Sequence, residues 1–169
     1  MAIGTLISEE EYLHTSREPE CEFEDGTLIA RGMGTLKHGN MQAALAAYFR
    51  QRRKPWKLQS YTELTFKIRP GKYMIPDVAV IADPQPEGPY ADRPPLIWIE
   101  ILSPDDRHVR VNQRVQDVLD YGCPFVWVID PETLESELHT AQGLQILQDG
   151  VLRIPGTPIE VPLAQVLED

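Results

Sequence analysis

The chain has 169 residues, of which 42 % are apolar, and its 26 acidic and 16 basic residues give a net charge of −10. This composition predicts one ordinary globular domain over residues 1–169, and the acidic balance argues against a protein whose whole surface binds nucleic acid. The N-terminal segment lacks a positively charged start and no apolar run is long enough to cross a bilayer, so we expect a cytoplasmic protein without a signal peptide or a membrane span.

The first part of the chain predicts a helix, a hairpin and a long second helix. Residues 8–13 have the pattern of a capped short helix, and residues 21–30, with Asp25-Gly26 at the centre, that of a β-hairpin. Apolar residues recur at helical spacing over residues 38–54. We therefore expect the best helix of the chain there, capped or begun by His38 and ended by Pro55.

Residues 58–68 predict a strand region that ends in a turn at residues 69–72. Apolar runs of strand length follow at residues 78–82, 96–102 and 125–129. Residues 83–95 are rich in proline and predict an irregular loop, either the rim of a cleft or a simple surface crossover. Residues 111–121 have the pattern of an amphipathic helix. Because this helix lies between two apolar strands, we expect a right-handed crossover and parallel pairing of those strands.

The C-terminal part predicts a hairpin-rich edge. Short alternating stretches at residues 134–140, 144–147 and 151–154 indicate an antiparallel meander, and residues 162–167 a last helical turn. The fold class that follows is α/β (α+β mixed), with a mixed central sheet flanked by helices and a C-terminal antiparallel meander.

Two acidic residues interrupt otherwise apolar segments. Asp77 follows Pro76 and opens the run 78–82, and Glu100 lies inside the run 96–102. A carboxylate in a buried strand must be paired, hydrogen-bonded or bound to metal, and two such acids on neighbouring strands would suit Mg²⁺. Asp77 alone is equally consistent with a turn or cap residue. For Glu100 we favour a ligand role over an internal ion pair or an exposed sheet edge.

A nuclease with such a metal centre usually adds a lysine near the second acid, but the strand offers Leu102 at that position. Arg114, on the following predicted helix, lies at the border of the buried face. A surface arginine and an inward-reaching cation are equally consistent with this position. Arginine can neutralise charge and donate hydrogen bonds, but it does not give up a proton as lysine does.

A hydrolytic triad is the other catalytic arrangement to consider. Ser103 and His108 stand beside Asp105 and Asp106, but the four are packed into a few turn positions and no nucleophile elbow is present, so we reject this interpretation. His38 is consistent with a capping or surface histidine, with a phosphate contact or with proton transfer.

The order and spacing of several short motifs resemble the Uma-two family, a large bacterial family of proposed endonucleases. These motifs are Glu22 with Asp25-Gly26, His38 at a helix start, Pro76-Asp77, Glu100-Ile101-Leu102-Ser103-Pro104 and the segment 121–131. The similarity extends over most of the chain, from about Ser8 to Leu147. It implies the restriction-endonuclease-like fold of the PD-(D/E)xK superfamily.

The resemblance also implies a function and a set of site residues. Mg²⁺ or Mn²⁺ would be held by Asp77 and Glu100, and the substrate would be DNA, cleaved by a homodimer that cuts both strands. Glu22 would contribute an acid near the site and His38 a polar contact. In the family the catalytic lysine is displaced to the next helix, and in this chain that position holds Arg114, which predicts reduced or specialised activity.

Two alternatives stay open. The acidic net charge and the arginine at the lysine position both favour a catalytically inactive nuclease-fold domain that binds nucleic acid or protein. An enzyme that uses the two carboxylates on a small phosphorylated or sugar substrate has no positive support in the sequence.

Overall fold

The computed structural model describes residues 6–88, 91, 93–104, 106 and 108–168. Within this part of the chain the helices and strands follow one another as α1 (Glu9–His14), β1 (Cys21–Glu24), β2 (Thr27–Ala30), α2 (Leu36–Gln51), α3 (Arg53–Trp56), β3 (Leu58–Thr62), β4 (Phe66–Arg69), β5 (Lys72–Met74), β6 (Val78–Ala82), β7 (Ile97–Ile101), α4 (His108–Tyr121), β8 (Phe125–Ile129), β9 (Ser136–Thr140), β10 (Gly143–Ile146), β11 (Val151–Arg153), β12 (Glu160–Pro162) and α5 (Leu163–Glu168).

The main sheet is mixed, as predicted. Its described strands lie in the order β10-β9-β8-β7-β6-β3. Strands β7 and β8 are parallel and α4 connects them, which confirms the expected parallel pairing. The other neighbouring pairs in this sheet are antiparallel. In the β6–β7 pair Val78 lies opposite Ile99, so the register brings Asp77, just before β6, to the level of Glu100.

A second sheet, with the described strand order β2-β1-β5-β4, forms the small sheet. The strand region expected over residues 58–68 consists of two strands, because β3 joins the main sheet and β4 joins the small sheet. The break lies at Glu63, which has a left-handed backbone with φ of 54°. An L residue adopts this conformation in turns and not in a continuous strand. The predicted turn at residues 69–72 is confirmed as the β4–β5 hairpin.

Helix α2 begins earlier than predicted, at Leu36. The cap is Thr35, whose hydroxyl accepts a hydrogen bond of 3.2 Å from the backbone N–H of His38. The expectation that His38 caps or begins this helix is therefore wrong, because His38 lies inside the first turn, with only 9 % of the residue exposed. This position directs His38 toward the interior, where Met41 and Leu45 of the same helix are also buried.

The end of α2 also differs from the expectation. The helix stops at Gln51, and Pro55 lies inside the short helix α3. Proline is tolerated in the first turn of a helix because the N–H that it lacks needs no partner there. Chain direction changes at Arg52, and Lys57, with φ of 51°, ends α3 in the left-handed conformation.

The C-terminal meander is confirmed only for β9 and β10, which pair antiparallel. The strand predicted at residues 151–154 is present as β11, but it pairs antiparallel with β12 in a separate two-stranded ribbon and does not extend the meander. The reason is packing: Leu152, Ile154 and Val161 of the ribbon are buried with α2 and α5 in one hydrophobic cluster. The predicted last helical turn is confirmed as α5.

Hydrophobic clusters cover both faces of the main sheet. On one face α2, α5 and the β11–β12 ribbon pack over it, and on the other face α4 and β4 do so. Among the described residues, no helix combines the length and the apolar character needed to cross a membrane. The segment between β5 and β6 passes from the small sheet to the main sheet, and Asp77 lies in this segment.

Candidate active site

A cavity of about 660 Å³ opens where the two sheets and the N-terminal turns of α2 and α4 meet. The residues predicted for the site come from five different parts of the chain, and all of them line this cavity: Glu22, His38, Asp77, Glu100 and Arg114. None of the described residues of the proline-rich loop 83–95 lines it. The expectation that this loop forms the rim of the cleft thus finds no support among its described residues.

Asp77 is buried, with 5 % of the residue exposed, and both carboxylate oxygens have partners. Its Oδ2 accepts a hydrogen bond of 2.7 Å from the backbone N–H of Ile101, and its Oδ1 lies 3.1 Å from Nη2 of Arg31. The amide of Gln42 donates to the Asp77 backbone carbonyl at 3.0 Å. The carboxylate is therefore fixed by the neighbouring strand on one side and faces a side-chain cation on the other.

His38 is a second side chain that contacts the same oxygen. Its Nε2 lies 3.4 Å from Oδ1 of Asp77. The hydrogen bond to Asp77 raises the pKa of His38 above its ordinary value, although partial burial works in the opposite direction. The imidazole thus has a greater tendency than a free histidine to carry a positive charge.

Glu100 lies in β7, with only 14 % of its side chain exposed. Its Oε1 accepts hydrogen bonds of 2.6 Å from the indole Nε1 of Trp98 and of 2.6 Å from Nη2 of Arg114. Burial raises the pKa of Glu100 to about 7; Arg114 opposes this shift, whereas Asp77 and Glu22 add to it. The carboxyl is thus poised to gain or lose a proton near neutral pH.

Arg114 reaches inward from α4, which decides between the two positions that the sequence left open. One terminal nitrogen bonds Glu100 and the other bonds Oε2 of Glu22. Burial acts to lower the pKa of Arg114, but the two carboxylates outweigh it and raise that pKa further above its ordinary value. Glu22 is itself buried and accepts a hydrogen bond of 2.8 Å from the backbone N–H of Ile75.

The donor chemistry fits a hard divalent cation. Asp77 and Glu100 are carboxylates on adjacent strands at one water-accessible cavity, and Mg²⁺ is commonly held by one or two carboxylates together with several waters. Oε2 of Glu100 accepts no hydrogen bond from any described residue. Within the same residues no group of three or more His, Cys, Asp or Glu side chains is placed to hold a metal. An ion would therefore take two protein carboxylates and complete its shell with water.

Three contacts of the site were not found from the sequence. Arg31 follows β2 and pairs with Asp77, Trp98 orients Glu100, and Gln42 holds the Asp77 backbone. Polar or charged residues next to strands and on helices are ordinary in a sequence, so nothing marks Arg31 or Gln42. For Trp98 there was a signal, since a tryptophan two residues before a buried glutamate lies on the same face of the strand and its N–H needs a partner.

Of the four residues considered for a hydrolytic triad, the structure describes the side chains of Ser103 and Asp106. Asp106 accepts a hydrogen bond of 2.6 Å from the backbone N–H of Ser103, which is a common local role for aspartate. Asp105 and the side chain of His108 lie outside the described part of the structure.

Comparison with known proteins gives a family and a similar solved structure, both described as nucleases. Residues 9–164 match the model of the Uma2 (Uma-two) family, whose description is "Putative restriction endonuclease". A crystal structure from Anabaena variabilis ATCC 29413, described as "a putative nuclease belonging to DUF820", superposes with a TM-score of 0.78 at 22 % sequence identity and covers 96 % of this chain and 98 % of that one. At this identity the likeness shows that the two chains share a fold and no more. No curated protein matches the chain.

Proposed function

The chain belongs to the Uma2 family, and from this premise we propose that it is a metal-dependent endonuclease that hydrolyses phosphodiester bonds in DNA. The observation that carries the proposal is the position of Asp77 and Glu100, which lie at the same level of two adjacent strands and line one cavity. Paired acids at a cavity are the donors that phosphodiester hydrolysis with Mg²⁺ or Mn²⁺ requires. As in the sequence-based expectation, we propose a cytoplasmic homodimer.

In this proposal Asp77 and Glu100 hold the cation, which when bound supplies a Lewis acid and an activated water. The protein's own contribution is orientation. The Ile101 N–H fixes one oxygen of Asp77, and the Trp98 indole fixes one oxygen of Glu100. Partners of this kind hold the ligand side chains in place before the cation arrives, which favours binding.

Arg114 and His38 line the cavity and are the side chains that would contact the phosphate. Arg114 would stabilise the negative charge that develops on the phosphate, and His38 would donate a hydrogen bond to a phosphate oxygen. Arg114 also bridges Glu22 and Glu100, and a guanidinium retains its proton at neutral pH. It therefore replaces the charge of a catalytic lysine but not its capacity for proton transfer, and we expect slow turnover.

A second candidate is a nuclease-fold domain that binds nucleic acid or protein without cleaving it. The observation that favours it is the charge balance of the cavity, where Arg31 and Arg114 already pair with the three buried acids. Such pairing keeps the acids buried without a metal ion. This candidate predicts that Asp77→Asn leaves binding to the partner intact.

Cleavage of supercoiled plasmid DNA with Mg²⁺ and with Mn²⁺ separates the two candidates. The endonuclease proposal expects nicked or linear product from the natural protein and from the control Asp149→Asn. Asp149 is exposed, pairs with Arg153 and does not line the cavity. It expects none from Asp77→Asn and more from Arg114→Lys. Product formed equally by Asp77→Asn would contradict the proposed role of Asp77. No product from any folded variant while DNA is still bound would favour the binding domain.

A further inference from the structure

A protein cation already occupies the oxygen of Asp77 that a metal ion would need. Oδ2 of Asp77 is held by the backbone of β7, through the N–H of Ile101. Oδ1 instead faces the guanidinium of Arg31 at 3.1 Å and Nε2 of His38 at 3.4 Å. A backbone partner cannot leave without disturbing the sheet, whereas an arginine side chain can move by rotation about its own bonds. Oδ1 is therefore the oxygen at which another cation can replace Arg31.

Arg31 has other carboxylates within reach at the mouth of the cavity. Its Nη1 lies 3.3 Å from Glu20 and 3.6 Å from Glu63. Both of these glutamates are about half exposed, whereas the Asp77 side chain is 7 % exposed. The guanidinium thus lies between one buried acid and two solvated acids, and it keeps two partners when the buried one is taken from it.

We propose that Arg31 is the internal counter-ion of Asp77 and that a divalent cation binds at Asp77 by displacing it toward Glu20 and Glu63. The proposal rests on the proposed function, because it concerns the metal of that site. In the metal-free protein Arg31 compensates the buried charge of Asp77, which would otherwise be costly. In the metal-bound protein the two cations would repel each other if Arg31 stayed.

The displacement has a consequence for the substrate. Glu20 and Glu63 line the mouth of the cavity, where a polyanion must enter. An arginine released from Asp77 and paired there would offset their negative charge. Metal binding inside the cavity would thus improve the electrostatic fit of its entrance to DNA, and Arg31 sets the concentration of metal at which this happens.

Titration of the purified protein with Mn²⁺, followed by calorimetry, tests the competition directly. Arg31→Gln removes the competing charge. Arg110→Gln is the matched control, because Arg110 also lines the cavity but, among the described residues, its side chain bonds only the backbone carbonyl of Ala30. We expect Arg31→Gln to bind Mn²⁺ about tenfold more tightly, which corresponds to about 1.4 kcal/mol, and Arg110→Gln to change the affinity by less than about threefold.

Arg31→Lys keeps a charge near Asp77 but loses the planar fork that reaches several acids, so we expect an affinity between those of the natural protein and Arg31→Gln. It serves as the second variant if Arg31→Gln does not fold. Two results would overturn the competition between Arg31 and the metal but leave the metal site in place. One is an equal gain in Mn²⁺ affinity in Arg31→Gln and Arg110→Gln, and the other is an unchanged affinity in Arg31→Gln while Asp77→Asn loses the ion. Absence of binding in the natural protein and in every variant would overturn the metal site itself and the competition with it.

Discussion

Arg114 of α4 and Glu100 of β7 form an ion pair of 2.6 Å inside the cavity, and the same guanidinium also bonds Glu22. One arginine thus joins a helix, the main sheet and the small sheet. Because all three groups are largely buried, the pairing matters more for the fold than a surface ion pair would.

The first prediction concerns this arginine. Arg114→Met leaves Glu22 and Glu100 buried without their cation, so we expect the free energy of unfolding to fall by about 3–5 kcal/mol at pH 8. Arg110→Met, which removes an exposed arginine of the same helix, should change it by less than about 1 kcal/mol. Urea denaturation at pH 8 measures both. Equal losses in the two variants would show that the Arg114 ion pairs contribute nothing of their own.

The second prediction concerns pH. In the metal-free protein the pKa of Glu100 is raised from 4.5 to about 7, chiefly by burial. The folded state therefore binds the proton more tightly than the unfolded state, and this contribution to stability is lost as the pH rises from about 4.5 to about 7.

Glu100→Gln removes the titrating group and should flatten this part of the profile. Relative to Glu100→Gln, the natural protein should lose about 1–3 kcal/mol between pH 5 and pH 8. The pKa of His38 is also raised, so its contribution to stability likewise falls as the pH rises, but this contribution is common to both proteins. Urea denaturation at the two pH values in the presence of a chelator gives the comparison. Parallel profiles would mean that Glu100 titrates near its ordinary pKa.

The third prediction concerns Trp98, whose indole orients Glu100. Trp98→Phe keeps an aromatic ring in the core but removes the donor, so we expect Mn²⁺ to bind about tenfold more weakly or worse. Trp127→Phe is the matched control, because Trp127 is equally buried and its indole nitrogen has no hydrogen-bond partner among the described residues.

Both tryptophan variants should lose a similar amount of stability, about 1–3 kcal/mol, because each leaves a small cavity. Thermal unfolding measures the loss of stability, and calorimetric titration with Mn²⁺ measures the affinity for the metal ion. Weakened metal binding in both variants to the same degree would attribute the effect to core packing and not to the hydrogen bond.

The main sheet could be predicted because its strands are strongly apolar and because a helix separates the parallel pair β7 and β8. The division of residues 58–68 between two sheets could not be predicted. It occurs at one left-handed residue, Glu63, and a glutamate in the sequence gives no sign of that conformation. The β11–β12 ribbon was missed for a related reason. Its alternating pattern is the same whether it extends a sheet or packs on α2 and α5.

In the candidate site, the acids could be located because a carboxylate within an apolar run is an anomaly at the level of sequence. The pattern placed Arg114 at the border of a helix face, but it could not show whether the side chain reaches inward or outward. Arg31 could not be found, because its pairing with Asp77 depends on how the small sheet packs against the main sheet. Contacts between sheets leave no periodic trace in the chain.

The central claim is that Asp77 and Glu100 together hold a divalent cation, and electron paramagnetic resonance of Mn²⁺ bound to the purified protein tests it most directly. The account predicts that the natural protein and Asp149→Asn bind the ion and that Asp77→Asn and Glu100→Gln, both still folded by circular dichroism, lose it. Mn²⁺ bound with unchanged affinity by either of these two variants would contradict the account.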